Sequence, residues 1–294
     1  MMNFDDQDGN IWYNGELVPW RDSKLHILSH GLHYASCVFE GERVYNGEVF
    51  KLRDHTQRLL DSGKELGMKI PYTLEELEEA TRDTVASQGY ADAYVRPVAW
   101  RGSEMMGVSA QQTRINVAIA VWEWPSYFSP EARLRGIKLK TSKWRRPAPD
   151  TAPVHAKAAG LYMICTMSKH AAEADGFDDA LMLDWRGQVA ESTGANIFLV
   201  QDGIIHTPTP DCFLDGITRR TVIGLAKDRG YEVVERPIMP DEFGKTDEVF
   251  VTGTAAEVTP VGQIDDWNFQ VGTVGRSLME DYDALVRGAK VAAA

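Results

Sequence analysis

The chain opens on two short runs in which apolar and polar positions alternate, Ile11-Trp12-Tyr13 and Glu16-Leu17-Val18, separated by Asn14-Gly15. Asn-Gly readily supplies two left-handed residues, so a two-residue hairpin turn is predicted there. The arrangement recurs at Arg43-Val44-Tyr45, Asn46-Gly47 and Glu48-Val49-Phe50, and another hairpin turn is predicted at Asp202-Gly203. Elsewhere the apolar spacing turns helical. A helix capped by Asp54 is predicted through Leu66, and Thr73-Leu74-Glu75-Glu76 has the capping-box pattern that opens a helix to about Ser87. Helices are also predicted over Val154 to Ala174, with Gly176 just past the end, and over Thr218 to Arg229, ended by Gly230. The apolar runs Ala93 to Trp100 and Thr113 to Trp122 read as buried strands, and Ile137 to Thr141, Asp179 to Asp184 and Ile197 to Val200 as further strands.

Pro125 to Pro130 breaks this pattern. The expected organisation is a small N-terminal α/β domain over 1–124, a linker over 125–135 and a larger C-terminal domain over 136–294, about two domains for 294 residues. Strands and helices mix without strict alternation, which favours an α+β fold over a doubly wound one. No GxGxxG or P-loop string is present, so dinucleotide and triphosphate readings lose support. A net charge of -12 argues against nucleic acid or an anionic membrane as partner. The cysteines, Cys37, Cys165 and Cys212, are too few and too scattered for a disulfide framework or a zinc site, and no other metal is expected. With an acidic, non-hydrophobic start and no long apolar run, neither a signal peptide nor a membrane span is expected, and a reducing cytoplasm fits.

The run Glu191-Ser192-Thr193-Gly194-Ala195-Asn196-Ile197-Phe198 adds chemistry. A lone carboxylate precedes a small turn and an apolar strand. Two further turns follow, Leu214-Asp215-Gly216-Ile217-Thr218-Arg219 and Thr252-Gly253-Thr254-Ala255-Ala256-Glu257. Upstream, Lys157 lies among small residues in His155-Ala156-Lys157-Ala158-Ala159-Gly160. Each element has a plainer reading: a solvated lysine, a hairpin-end carboxylate, a helix capped by Thr218. Together they suit pyridoxal phosphate. Lys157 is an amine able to condense with the cofactor aldehyde, Glu191 an acid for the pyridine nitrogen, and Tyr162 a phenol for the ring oxygen. Phosphate needs N–H donors and a cation. Ile217 and Thr218 at a helix start, the Thr254 hydroxyl and the fork-shaped Arg58 supply them.

The order Glu191, Thr193, Asn196, Ile197-Phe198 and then Gly216-Ile217-Thr218-Arg219 resembles the signature of class IV aminotransferases, and from Ile11 to about Val261 the chain is similar to their branched-chain amino acid group. The resemblance implies a two-domain fold of type IV, like D-amino acid aminotransferase, with the cofactor at the domain interface. It implies Lys157 as the cofactor lysine, Tyr162, Glu191, Arg58, Ile217, Thr218 and Thr254 in the roles above, and Gly194 and Leu214 on the two ring faces. It also implies Phe39, Trp124 and Tyr127 around the substrate side chain, with Tyr34 entering from a partner subunit. Tyr94, supported by Arg43, and the backbone of Thr254 and Ala255 would hold the α-carboxylate, and Arg96 would meet the distal carboxylate of glutamate or 2-oxoglutarate. His30 and His33 receive no catalytic role. One residue departs from the family: Glu42 stands where an aliphatic residue is usual, and beside Arg43 it could pair with that cation and loosen its hold on Tyr94.

The implied reaction is ping-pong transamination of leucine, isoleucine and valine with 2-oxoglutarate, by a homodimer or higher homo-oligomer with a shared active site. The rivals are a D-amino acid or (R)-amine transaminase of the same fold, aminodeoxychorismate lyase, and a catalytically silent cofactor-binding protein. The strings Phe39-Glu40-Gly41 and Tyr94-Val95-Arg96-Pro97 speak for the branched-chain reading.

Overall fold

The computed structural model describes residues 3–124 and 130–288, which divide into two compact units. The first unit is Met1–Pro125 together with Ala156–Leu161, and the second is Ser126–His155 with Tyr162–Ala294.

The first unit is built on an antiparallel sheet. Its strands are β1 (Asn10–Tyr13), β2 (Glu16–Pro19), β3 (Cys37–Phe39), β4 (Glu42–Tyr45), β5 (Glu48–Val49), β6 (Ala93–Arg101) and β7 (Ile115–Glu123), in the order β2-β1-β7-β6-β4-β5, with β3 also on β6. Both Asn-Gly turns form as predicted, with Asn14 at φ 51° and Gly15 at φ 105°. Three helices accompany the sheet: α1 (His30–Tyr34), α2 (Leu52–Glu65) and α3 (Leu74–Gln88). Thr73 and Glu76 make the reciprocal capping box at α3. Asp54 caps nothing, because α2 already begins at Leu52 after Lys51 in a left-handed conformation, and Asp54 falls in its first turn. Alternation along β6 and β7 decides which residues meet. Ala93, Val95, Ala99, Val117, Ile119 and Val121 enter one core with Leu59 of α2 and Leu77 of α3. Tyr94 and Arg96 take the other face.

Ala156–Leu161 joins this unit rather than the C-terminal domain expected at 136–294. The reason is backbone pairing. Phe39 N–H donates to the Lys157 carbonyl at 3.1 Å, Lys157 N–H donates to Ser62 Oγ at 3.0 Å, and Val38 and Ala158 form an antiparallel bridge. Ala156 and Ala158 thereby enter the core beside Val38. The predicted helix over Val154 to Ala174 is accordingly shortened to a 3-10 turn, Ala159–Tyr162, and a helix from Met163.

In the second unit, half of the expected 125–135 linker is helix α4 (Pro130–Arg135), and the other half lies outside the described residues. The sheet contains β8 (Ile137–Arg146), β9 (Asp179–Asp184), β10 (Val189–Ser192), β11 (Asn196–Gln201), β12 (Ile204–Thr207), β13 (Val233–Glu235), β14 (Glu248–Gly253), β15 (Glu257–Ile264) and β16 (Trp267–Asn268). The helices are α5 (Met163–Ala174), α6 (Ile217–Asp228) and α7 (Thr273–Val286). The order β10-β9-β8-β15-β14-β11 is closed by a further β10–β11 pairing, so these six strands form a ring. Ile197, Leu199, Val249 and Val251 face one core with Ile137 and Leu139. On the other face Phe198 and Phe250 stack at 4.9 Å. Mixed parallel and antiparallel pairing in this unit and antiparallel pairing in the first agree with the α+β expectation. No described helix is long and apolar enough to cross a membrane.

Candidate active site

The residues proposed from the sequence fall into two sets, one in each unit. In the first unit the set gathers where β3 hands over to β4. Both strands pair with β6, β3 opposite Val98 to Trp100 and β4 opposite Ala93 to Val95, so Glu40 and Gly41 make the step between them. Tyr94 fills the space beside this step: a Cβ on Gly41 would lie 1.9 Å from its hydroxyl, so a larger residue would displace the Tyr94 ring. Glu40 is fully buried. Arg58 of α2 donates to it through Nε at 2.7 Å and Nη2 at 2.8 Å, and His55 Nδ1 lies 2.7 Å from the same carboxylate. Burial alone would raise the Glu40 pKa; Arg58 and His55 outweigh it and hold the carboxyl well below the usual range.

Lys157 is half-buried, with Nζ 5.0 Å above the Phe39 ring. Burial, then the positive field of Arg58, lowers its pKa to about 8. An amine so placed is partly neutral near pH 8, where a nucleophile must be neutral to attack. Arg96 lies over the rings of Phe39 (4.8 Å) and Tyr94 (5.4 Å) and donates to the Tyr94 hydroxyl at 3.3 Å. Arg43 is the cross-strand partner of Tyr94 and also covers Tyr45 at 5.1 Å. The Trp124 ring lies 5.7 Å from that of Tyr94. Tyr34 stands on α1, 45% exposed and stacked on His30 at 4.6 Å. Tyr127 lies outside the described residues.

In the second unit Glu191, Asn196 and Thr252 occupy matched positions across β10, β11 and β14. Closure of the ring at β10–β11 thus fixes the carboxylate on paired strands. Arg146 Nε lies 3.3 Å from Glu191 Oε1, and Asn196 Nδ2 donates to Oε2 at 3.3 Å. Asn196 Nδ2 also donates to the Leu214 carbonyl at 3.0 Å, tying the strand to the turn before α6. Gly216 is required by close approach: its Cβ would lie 2.2 Å from Asn196 Oδ1. Gly216, not Thr218, is the N-cap of α6, and it brings no side-chain cap to the first-turn N–H groups of Ile217 and Thr218. Gly194 lies exposed in the β10–β11 turn. Thr254 and Ala255 lie in the turn between β14 and β15, and Tyr162 at the start of α5, within electrostatic reach of Arg146.

Asp184, Asp211 and Cys212 offer ligand atoms close enough for a metal, but Arg186 lies 2.6 Å from the first carboxylate and 2.7 Å from the second. A guanidinium therefore already supplies the positive charge there.

A family model described as amino-transferase class IV matches residues 37–264. The chain belongs to the class IV aminotransferases. A branched-chain-amino-acid aminotransferase of Pseudomonas aeruginosa is 43% identical over 98% of this chain and 96% of its own. A crystal structure of the branched-chain amino acid aminotransferase of T.th. with pyridoxamine 5'-phosphate has a TM-score of 0.93 at 42% identity, covering 97% of this chain and 96% of that one. A second crystal structure of that enzyme, complexed with N-(5'-phosphopyridoxyl)-L-glutamate, has a TM-score of 0.92 at 42% identity with the same coverage.

The residues of this aminotransferase fit such a cofactor on their own chemistry. Lys157 carries a depressed pKa, Glu191 is buried on a strand pair, α6 opens without a side-chain cap, and Thr252 Oγ1 is buried without a hydrogen-bond partner. Four supporting residues escaped the sequence reading: Glu40, His55, Arg146 and Thr252. Glu40 had its place in Phe39-Glu40-Gly41 as a signal and Thr252 its place at the head of the turn to Glu257, whereas His55 and Arg146 had none. Replacing Glu40 with Gln is expected to destabilise the fold by about 3 kcal/mol, because a buried ion pair loses one partner. With the Glu40 pKa depressed, its stabilisation is present above the unfolded value of about 4.3 and is lost as pH falls toward the folded one. Thermal midpoints of the wild type and Glu40→Gln should therefore differ at neutral pH and converge in acid; a constant gap would remove this role.

Proposed function

We propose that this chain is a pyridoxal-phosphate-dependent transaminase that moves the amino group of leucine, isoleucine or valine to 2-oxoglutarate, giving the branched-chain 2-oxo acid and L-glutamate. The seat of Lys157 carries this reading: a lysine amine lowered to about 8, over an aromatic ring and within the field of Arg58. When bound, the cofactor supplies an aldehyde and a pyridine ring that withdraws electrons from the substrate Cα. Lys157 Nζ anchors that aldehyde between turnovers and carries the proton removed from Cα. Glu191 holds a proton at the pyridine nitrogen, and Tyr162 donates to the ring oxygen. Arg58, Thr254 and the N–H groups of Ile217 and Thr218 take the phosphate, and Gly194 and Leu214 flank the ring.

Phe39 and Trp124 bound the substrate side chain, and Tyr127 is assigned with them. Tyr94, Arg43 and the backbone of Thr254 and Ala255 hold the α-carboxylate. Arg96 takes the distal carboxylate of the acceptor. Its position over two aromatic rings supports this dual use, since one wall then offers both an apolar surface and a cation.

The assembly is a homodimer or higher homo-oligomer in which Tyr34 serves the partner's site. Exposed Leu25, Ile27, Leu32, Tyr34 and Val108 support it, as apolar surface that a second copy would cover. The three cysteines are free, which suits the cytoplasm.

The test is a half-reaction on the cofactor-loaded enzyme without acceptor, followed by visible absorbance. L-leucine is expected to bleach the cofactor band, and D-alanine and (R)-1-phenylethylamine to leave it. Faster bleaching by either of the latter would transfer the chain to the rival transaminases, and pyruvate release from aminodeoxychorismate without any 2-oxo acid would make it a lyase.

A further inference from the structure

Glu42 is fully buried at the start of β4, and neither carboxyl oxygen has a hydrogen-bond partner. The expected pairing with Arg43 does not form. Successive strand residues point to opposite faces, and Arg43 lies with Tyr45. Glu42 instead shares the face of Val44, which enters the core with Leu59 and Leu77. Its cross-strand neighbour on β6 is Val95, which is aliphatic, and α3 sends Leu77 and Ala80 to the same core. The charged groups that act on it are Glu40 from the β3–β4 step and Arg58 from α2; His55 of α2 lies against Glu40, and Lys157 is within the field of His55. A carboxylate in such a place is costly, which favours the neutral acid. Burial first, and Glu40 second, push its pKa well above the usual value.

We infer that the proton on Glu42 governs how firmly the cofactor phosphate is held, by setting the net charge of the Arg58 cluster. The inference rests on the assignment of Arg58 to the phosphate made above. With Glu42 protonated and His55 neutral, Glu40 and Arg58 sum to zero. Ionised Glu42 makes the cluster net negative beside a phosphate that carries close to two negative charges. Attraction then gives way to repulsion, and the cofactor leaves faster.

The experiment compares the dissociation rate of pyridoxal phosphate from the holoenzyme at a series of pH values from about 7 to about 10, for wild type, Glu42→Gln and Glu42→Leu. The wild-type rate is expected to rise about tenfold more across this range than that of either variant. Lys157 is condensed with the cofactor in all three holoenzymes, so the difference between them isolates Glu42. Pyridoxal without the phosphate should show the same pH slope in all three. Superimposed slopes with pyridoxal phosphate, or equal differences with and without the phosphate, overturn the inference. The thermal midpoint of the apoproteins provides a separate reading. The folded pKa of Glu42 lies above the unfolded one, so the contribution of Glu42 to stability falls as pH rises above about 4.3, and the wild type should lose more stability than Glu42→Gln over that range. A lessened fall with superimposed phosphate-cofactor slopes would overturn the inference, while leaving the buried proton of Glu42 established and the assignment of Arg58 to the phosphate untouched.

Discussion

Replacing Lys157 with Ala is expected to lower turnover by about 10⁴-fold or more, because one side chain both anchors the cofactor and carries the substrate proton. The loss should be accompanied by the disappearance of covalently held cofactor, measured by mass after borohydride reduction. The fold should survive, since the segment is held by the Lys157 carbonyl and N–H, which bond the Phe39 N–H and Ser62 Oγ, rather than by the amine. A variant with near-normal turnover would sink the assignment. The wild-type apoprotein offers a companion test. The amine reacts only when neutral, so the rate of covalent attachment should climb as pH rises through about 8 and then level off. A profile centred near the ordinary lysine value would place the amine in water instead.

Changing Glu191 to Gln is expected to cost about 10²- to 10³-fold in rate with the cofactor still bound. Gln is similar in size but cannot carry the negative charge that favours a protonated pyridine nitrogen. Arg146 would lose its ionic partner, so a modest fall in thermal midpoint should accompany the change. Rate and midpoint must be read together. A fall in midpoint with an unchanged rate would leave Glu191 as a structural partner of Arg146 and remove it from the mechanism.

Locally encoded features were the most legible in the sequence. The Asn-Gly turns and the Thr73–Glu76 capping box need only a few consecutive residues, and both formed as expected. The failures arose where distant backbone prevailed over local preference. Ala156-Lys157-Ala158 has good helix formers, yet it stays outside the helix because Val38 and Phe39 offer it backbone partners. At Asp54 and Thr218, residues that favour capping fall inside the first turn, because Lys51 and Gly216 already begin the helices. Among site residues, Lys157 and Glu191 stood out by chemical type and setting. Arg146 and Thr252 did not, since only strand register brings them to Glu191 and Asn196. Glu42 was visible as an oddity, but strand alternation turned it away from Arg43 and toward the core.

The detour of Ala156–Leu161 into the first unit also sets an order of events during synthesis. Strands β1 to β7 and their helices have all been made once residue 123 is joined to the chain. Their core still lacks Ala156 and Ala158, and the nucleophile between them does not yet exist. A nascent chain halted at the end of β7 would hold most of a sheet with no reactive amine seated on it. The first unit is completed only after β8 of the second has been translated, so the two halves of the protein mature in an interleaved sequence on the ribosome.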